Sequence, residues 1–320
     1  MFLTLSPPHF FPLPQVDYEH AHTAESYTLE YDAVVRGVRR LADPQHSVRF
    51  VGLSLPNIDS GPKVVQWVNY FLNASNHHPE VGLDALNYIG LHAYPTNGPY
   101  TPNPDSFALM FDYVDQFFLD KVLPVEAVIA ALSPATRTVL DETGTDMDGV
   151  LTRGLTPPDN NPLYWVASAA YWAYFWGRAA RDARTVAVVG ASQLMDAPGQ
   201  EPSVTMLDWS TGRGTARLWV VALLVKEMAQ GGGMVATGVQ CSSQGGAVFA
   251  LTVGDRLLAV NMRNAWANAS IECSGGGGCV CQSVAVIDEG TGLEPAREEA
   301  CGEGNTVLLA PYATAVVRFS

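Results

Sequence analysis

Glu142 stands near the end of the run Arg137-Thr-Val-Leu-Asp-Glu-Thr-Gly-Thr-Asp146, where a short apolar stretch ends on two acids and the chain turns at Thr and Gly. A carboxylate at such a place can attack the anomeric carbon of a sugar. In a barrel of parallel strands, the carboxyl end of a strand is where reactive side chains are presented. Asp141 and Glu142 also fit a blander role, a polar strand end that caps the next segment. A second run, Gly90-Leu-His92-Ala-Tyr94-Pro95, carries an imidazole and a phenol two residues apart, hence on one face of a strand. From there they can hydrogen-bond a nucleophilic carboxylate or a substrate hydroxyl, or simply satisfy each other. A third run, Val16-Asp-Tyr-Glu19-His20, precedes the first complete helix and is expected at the same rim.

These runs sit in an alternation of strand and helix, the pattern of a parallel sheet wrapped by helices. Strands are predicted over Val48 to Leu55, Tyr88 to Tyr94, Thr138 to Glu142 and Val186 to Leu194. Each is rich in branched apolar residues, as strands buried on both faces must be. Helices are predicted at Ala24 to Ala42, Lys63 to Asn73, Ser106 to Ala131, Tyr164 to Arg181 and Arg213 to Met228, where apolar residues recur at helical spacing.

The segments YIGLHAYP, TVLDETGTDMDG and Val16 to Asn57 are together similar to the second half of a clan A retaining glycoside hydrolase, closest to glycoside hydrolase family 39 and its relatives. The similarity runs over Val16 to Met228. It implies an incomplete (β/α)8 barrel in which Glu142 ends the seventh strand as nucleophile, and His92 and Tyr94 come from the sixth. It also implies an oligosaccharide or polysaccharide substrate and no metal or organic cofactor.

The chain departs from that family at the fourth strand. The resemblance places an Asn-Glu pair, with the acid/base Glu, just before Val16, and this sequence has Pro14-Gln15 there. A Gln side chain can neither supply nor take up the proton. Glu19 is the nearest carboxylate and the alternative acid/base residue. The first fifteen residues, MFLTLSPPHFFPLPQ, hold four Pro, three Phe, three Leu and no charge. Such residues have pyrimidine-rich codons, so the segment reads as translated intron preceding a lost exon. Its prolines interrupt the apolar stretch a secretory signal needs, and a disordered Pro-rich tail is the other reading. Residues 1 to 15 are therefore expected to stay unpaired and outside the fold. Only four strand and helix units precede Met228, whereas a closed barrel needs eight strands and about 250 residues. An open sheet with an exposed edge follows.

The 320 residues are 48% hydrophobic and carry a net charge of −14. The chain can bury a sizeable core, and its charge argues against nucleic acid or an anionic membrane as partner. No stretch approaches the roughly 20 apolar residues of a membrane span. All five cysteines, Cys241, Cys273, Cys279, Cys281 and Cys301, lie in the C-terminal part. Cys273-Ser-Gly-Gly-Gly-Gly-Cys279-Val-Cys281 lacks the ligands of a zinc site and reads as a disulfide hairpin, which suits secretion to an oxidising, extracellular compartment. Asn73-Ala-Ser and Asn268-Ala-Ser are glycosylation acceptors in that setting.

From Gln230 the pattern changes. Gly231 to Gly233 resembles a linker, and short alternating runs follow at Ala247 to Val253, Arg256 to Met262, Ser283 to Ile287, Thr306 to Leu309 and Thr314 to Phe319. Residues 231–320 are therefore expected to form a small antiparallel β-sandwich after a half-barrel over 16–230. Trp165, Tyr171, Trp172, Tyr174, Phe175 and Trp176 crowd one helix and read as core. Trp209, in a loop after the last strand, is the candidate for stacking on a sugar ring, and Gln193 and Asp196 are candidates for hydrogen-bonding its hydroxyls. Asp146 and Asp148 can do the same or solvate a loop. There is no GxSxG motif, no P-loop and no Cys near His92. The expected function is glycoside hydrolysis with retention, through two carboxyl groups about 5 to 5.5 Å apart. The alternative is a carbohydrate-binding remnant without a proton donor.

Overall fold

Apolar strands alternate with amphipathic helices up to Met228, and the backbone follows that alternation. The computed structural model describes residues 2–4, 23–55, 61–82, 85–95, 104–145, 162–192, 194, 205–208, 211–229, 233–235, 248–272 and 279–320. In chain order they form β1 (Phe2–Thr4), α1 (Ala24–Leu41), β2 (Arg49–Leu55), α2 (Gly61–Phe71), β3 (Tyr88–Ala93) and α3 (Leu109–Phe117). A π-helical turn (Phe118–Val122), α4 (Leu123–Leu132), β4 (Arg137–Thr143), α5 (Pro162–Asp182), β5 (Val186–Ala191) and α6 (Ala216–Glu227) follow. Eight strands come after them: β6 (Met234–Val235), β7 (Val248–Val253), β8 (Arg256–Asn261), β9 (Ala267–Ser270), β10 (Cys281–Ile287), β11 (Arg297–Glu299), β12 (Thr306–Leu309) and β13 (Thr314–Phe319). Two compact units result, one of Met1–Ala93, Asp115–Thr143 and Ala183–Gly190, the other of Tyr94–Val114, Gly144–Asp182 and Ala191–Ser320.

The first unit is built on a sheet of order β1-β2-β3-β4-β5. Parallel pairs set Phe2 opposite Arg49, Val51 opposite Tyr88, and Tyr88 opposite Arg137. Phe50, Leu53, Ile89, Leu91 and Leu140 are buried, as Val- and Leu-rich strands covered on both faces require. Tyr31 of α1 meets Phe71 of α2 edge to face at 4.9 Å above Phe50. Glu126 of α4 fixes the entry to β5: one of its carboxylate oxygens accepts from the backbone N–H groups of Arg184 and Thr185 at 2.7 Å and from the Thr185 hydroxyl at 2.8 Å. His77 is a satisfied core histidine, bonded to Asp32 at 2.7 Å and to the Phe71 carbonyl.

Two expectations need correction here. Phe2–Thr4 is paired in parallel with β2, so residues 1 to 15 are not wholly outside the fold. The edge of β2 offers unsatisfied N–H and C=O groups, and an apolar segment of any origin can take them up. β5, in turn, is apolar without being buried on both faces: Ala187 and Val188 are exposed. It is the last strand of the order, and among the described residues no strand lies beyond it.

The second unit holds α5, α6 and the antiparallel strands. Trp165, Tyr171, Trp172, Tyr174 and Phe175 of α5 are all buried, the packing role expected of them. Tyr174 stands edge-on to Phe249 of β7 at 5.0 Å, and Gly177 leaves room for the same ring, which a Cβ would strike. The strands form one sheet of order β11-β10-β13-β8-β7-β6 and a pair, β12-β9. Leu257, Ala259, Val284, Val286, Val307, Leu309, Ala315 and Val317 fill the core between them. Cys281 of β10 is bonded to Cys301, just beyond β11, and antiparallel pairing of the two strands sets the Cα atoms 6.0 Å apart. Cys279 is also disulfide-bonded. Asn73 and Asn268 are exposed, though the Asn73 side chain already caps a short 3-10 turn by accepting from Ser75. No helix among the described residues is long and apolar enough to cross a membrane.

Candidate active site

Two irregularities in the first sheet bring four side chains together. Between β2 and β3, Gly52 stands opposite Ile89 but Leu55 opposite Leu91, so β2 spends three steps where β3 spends two. The extra residue is accommodated at Leu53, whose φ is 50° and whose N–H donates to the Tyr27 hydroxyl of α1 at 2.8 Å. A left-handed non-glycine residue costs about 1 to 3 kcal/mol, and here the buried Leu53 side chain and the Tyr27 bond offset it. Between β3 and β4, Gly90 stands opposite Val139 and His92 opposite Glu142, so β4 also spends three steps against two. Such bulges re-aim side chains. In consequence adjacent residues of β4, which would otherwise face opposite ways, both approach His92.

Glu142 Oε2 lies 2.8 Å from His92 Nδ1, and Asp141 Oδ2 lies 3.9 Å from His92 Nε2. Ser54 fills the gap: its hydroxyl lies 2.8 Å from His92 Nε2 and donates to Asp141 Oδ2 at 2.9 Å. The result is a continuous chain, Asp141–Ser54–His92–Glu142. Glu142 is its more exposed end, with a side chain 36% exposed against 19% for His92 and 16% for Asp141. Burial pushes the Asp141 carboxyl above the usual carboxylate range, while the His92 charge and the Ser54 bond pull it part of the way back. Its second oxygen, Oδ1, is buried with no hydrogen-bond partner among the described residues. Burial likewise pushes the Tyr27 phenol up to about 12, so it remains protonated beside Leu53.

Gly90 makes the closeness possible. A Cβ there would lie 2.8 Å from Asp141 Oδ1 and 3.0 Å from the Ser54 Cα. One of these is backbone and cannot swing away. Gly90→Ala is therefore expected to destabilise the first unit by about 1 to 3 kcal/mol and to break the Ser54–Asp141 bond. Chemical denaturation, with Gly233→Ala as control because its added Cβ meets nothing within 4 Å, checks this. Equal stability of the two variants would refute it.

The structure thus brings together Glu142 and His92, the first two residues singled out from the sequence. Tyr94 follows β3 and is half-buried. Glu19, Gln193, Asp196 and Trp209 lie outside the described residues, as do Asp146 and Asp148. Ser54 was missed altogether, and Asp141 was weighed only as a strand cap. The signal for Ser54 was present: a lone hydroxyl in the apolar run Phe50-Val-Gly-Leu-Ser-Leu55, near the carboxyl end of its strand, needs a buried partner. Among the described residues no group of three or more His, Cys, Asp or Glu is arranged to hold a metal ion.

No protein-family model matches this chain, and no curated protein matches it by sequence. Solved structures do match its fold. A family 44 xyloglucanase from Paenibacillus polymyxa superposes with a TM-score of 0.61 at 13% identity, over 93% of this chain and 61% of the xyloglucanase. An arabinofuranosidase gives 0.57 at 12% identity, over 93% and 63%. A family 44 endoglucanase from Clostridium thermocellum gives 0.57 at 14% identity, over 93% and 62%. The fold is glycosidase-like. The chain spans less than two thirds of the length of each of these structures. A parallel sheet with helices, accompanied by separate antiparallel sheets, is consistent with part of a (β/α)8 barrel plus a β domain.

Proposed function

We propose that this chain is part of a retaining O-glycoside hydrolase in which Glu142 is the nucleophile. The observation that carries the proposal is the placement of Glu142 at the carboxyl end of β4, partly exposed, with its carboxylate held at 2.8 Å by His92. That end of a parallel strand is where barrel enzymes present reactive groups. The solved structures of like fold include glycosidases of families 44 and 51, which supports an oligosaccharide or polysaccharide substrate. The finer assignment follows the sequence resemblance to family 39: residues 16–230 are the second half of the barrel, 231–320 the β domain, and 1–15 a non-native segment. The Cys281–Cys301 disulfide supports an extracellular location.

In the mechanism, Glu142 attacks the anomeric carbon and forms a glycosyl ester. A general acid protonates the departing oxygen and then activates water. His92 aims the attacking carboxylate by donating to it from Nδ1. The acid/base position of the resemblance is Gln15 here, so the chain is proposed to be impaired on unactivated substrates, with Glu19 as the alternative donor. Incubation with a panel of dinitrophenyl 2-deoxy-2-fluoroglycosides, which need no protonation to leave, followed by peptide mapping, tests the assignment. One fluoroglycosyl group on Glu142 is the expected result. Labelling of another carboxylate, or none across hexosides and pentosides of both anomeric configurations, would sink it.

A further inference from the structure

The chain of contacts from Asp141 to Glu142 obeys a proton count. A serine hydroxyl has one proton to give, and an ionised carboxylate can only accept. When Asp141 is ionised, the Ser54 proton goes to Oδ2 at 2.9 Å. Ser54 Oγ must then accept from His92 Nε2 at 2.8 Å, so Nε2 carries a proton. An ionised Glu142 at 2.8 Å from Nδ1 requires a proton there too. Two ionised carboxylates therefore demand an imidazolium.

With Glu142 ionised, one other arrangement satisfies the same three contacts. Asp141 holds a proton and gives it to Ser54 Oγ, Ser54 gives its own to a bare Nε2, and Nδ1–H still points at Glu142. The two arrangements interconvert when the Nε2 proton moves to Oγ as the Oγ proton moves to Oδ2. No other atom is involved, and the charge summed over Asp141, His92 and Glu142 is minus one in both. Partial burial of Asp141 and the unsatisfied Oδ1 favour its protonated form, and the adjacent imidazolium favours the ionised one. Among the described residues, the titratable groups bearing on Asp141 are His92, Glu142 and the Tyr27 phenol of α1, which stays protonated.

We propose that Asp141 and Ser54 are positioning residues that share one proton with His92 through the Ser54 hydroxyl, so that Nδ1–H faces Glu142 in every state. The inference deepens the proposed function and rests on it for its catalytic meaning. When Glu142 becomes an ester its charge disappears, the imidazolium loses its nearest anion, and the shared proton moves to Asp141. The protein absorbs the charge change of glycosylation without taking a proton from water.

Histidine-specific 15N labelling of the full chain reads the protonation of each ring nitrogen directly, with His92 assigned by His92→Gln. At about pH 7, Nδ1 is expected to be protonated and Nε2 at least partly so. Ser54→Ala and Asp141→Asn should both leave Nε2 bare and Nδ1 protonated, whereas Ser54→Thr, which keeps the hydroxyl, should restore the wild-type signal. His77, held by Asp32 in the same unit, reports that each variant is folded; a variant that loses its signals is replaced by Asp141→Ser or Ser54→Gly. A bare Nε2 in the wild type, a bare Nδ1, or an Nε2 signal indifferent to both substitutions would overturn the proposal. If Glu142 is also the nucleophile, the two variants should slow its labelling by the fluoroglycoside about tenfold, and Ser54→Thr should recover it. The expected nitrogen signals without labelling of Glu142 would leave the proton relay standing and remove the glycosidase reading alone.

Discussion

Glu142→Gln is expected to lower kcat/KM on an activated aryl glycoside by about 10⁴-fold or more, because it removes the attacking group while preserving shape. The Gln side-chain carbonyl can still accept from His92 Nδ1, so the site should keep its arrangement and stability. Asp141 cannot take over. It is more buried than Glu142, one oxygen is engaged by Ser54, and burial raises its carboxyl toward the neutral form. The wild-type chain should in turn leave unactivated oligosaccharides nearly untouched, since general acid assistance is worth about 10² to 10⁴ in rate and Gln15 cannot give it. Steady-state rates of both proteins on dinitrophenyl glycosides and on natural oligosaccharides check this. Retention of more than a tenth of the activity by Glu142→Gln would rule Glu142 out as nucleophile. Full activity on an unactivated oligosaccharide, lost in Glu19→Gln, would make Glu19 the proton donor.

The second large effect concerns stability. Glu227, at the end of α6, is buried, with a side chain 4% exposed. Its oxygens accept from Arg318 at 2.7 and 2.9 Å and from Arg256 at 3.3 Å. Removing one partner of a buried ion pair costs about 3 to 5 kcal/mol, because the other charge is left without compensation. Arg318 retains Glu298, which is half exposed, so Glu227→Ala is expected at the lower end, near 3 kcal/mol, with a fall in melting temperature of about 6 °C or more. The pH dependence has a definite sign. The bonds from Arg318, first among the causes, hold the Glu227 carboxyl at about 2, below its ordinary value of 4.5. A depressed carboxyl contributes stability that is complete above the unfolded value and is lost as the pH falls through the folded one. Glu227→Gln should therefore lose stability at neutral pH, and the gap from wild type should narrow between about pH 4.5 and 2. Thermal melts at a series of pH values measure it. A constant gap over that window would show that the carboxylate charge is not what stabilises α6 against β8 and β13.

Much of this molecule was legible in its residues one segment at a time. Strand and helix periodicities are local, so the four predicted strands of the first part and all five helical stretches were found within a few residues of their ends, as were the five predicted β runs of the second, whereas β9 and β11 were not foreseen. Glu142 and His92 could be named for the same reason: each sits where an apolar strand ends, and both runs are short enough to read directly. What tertiary structure decided was how the strands align. The two bulges exist only as a mismatch of count between neighbouring strands, and neither Leu53 nor Val139 to Glu142 shows it alone. That slip is what turns Asp141 and Glu142 toward one imidazole and lets Ser54 bridge them. Pairing across sequence distance likewise put Phe2–Thr4 on β2, left Ala187 and Val188 of β5 exposed, and gave Cys281 its partner in Cys301. Side-chain type sets which groups are able to react. Their meeting depends on register, and register is a property of two strands together.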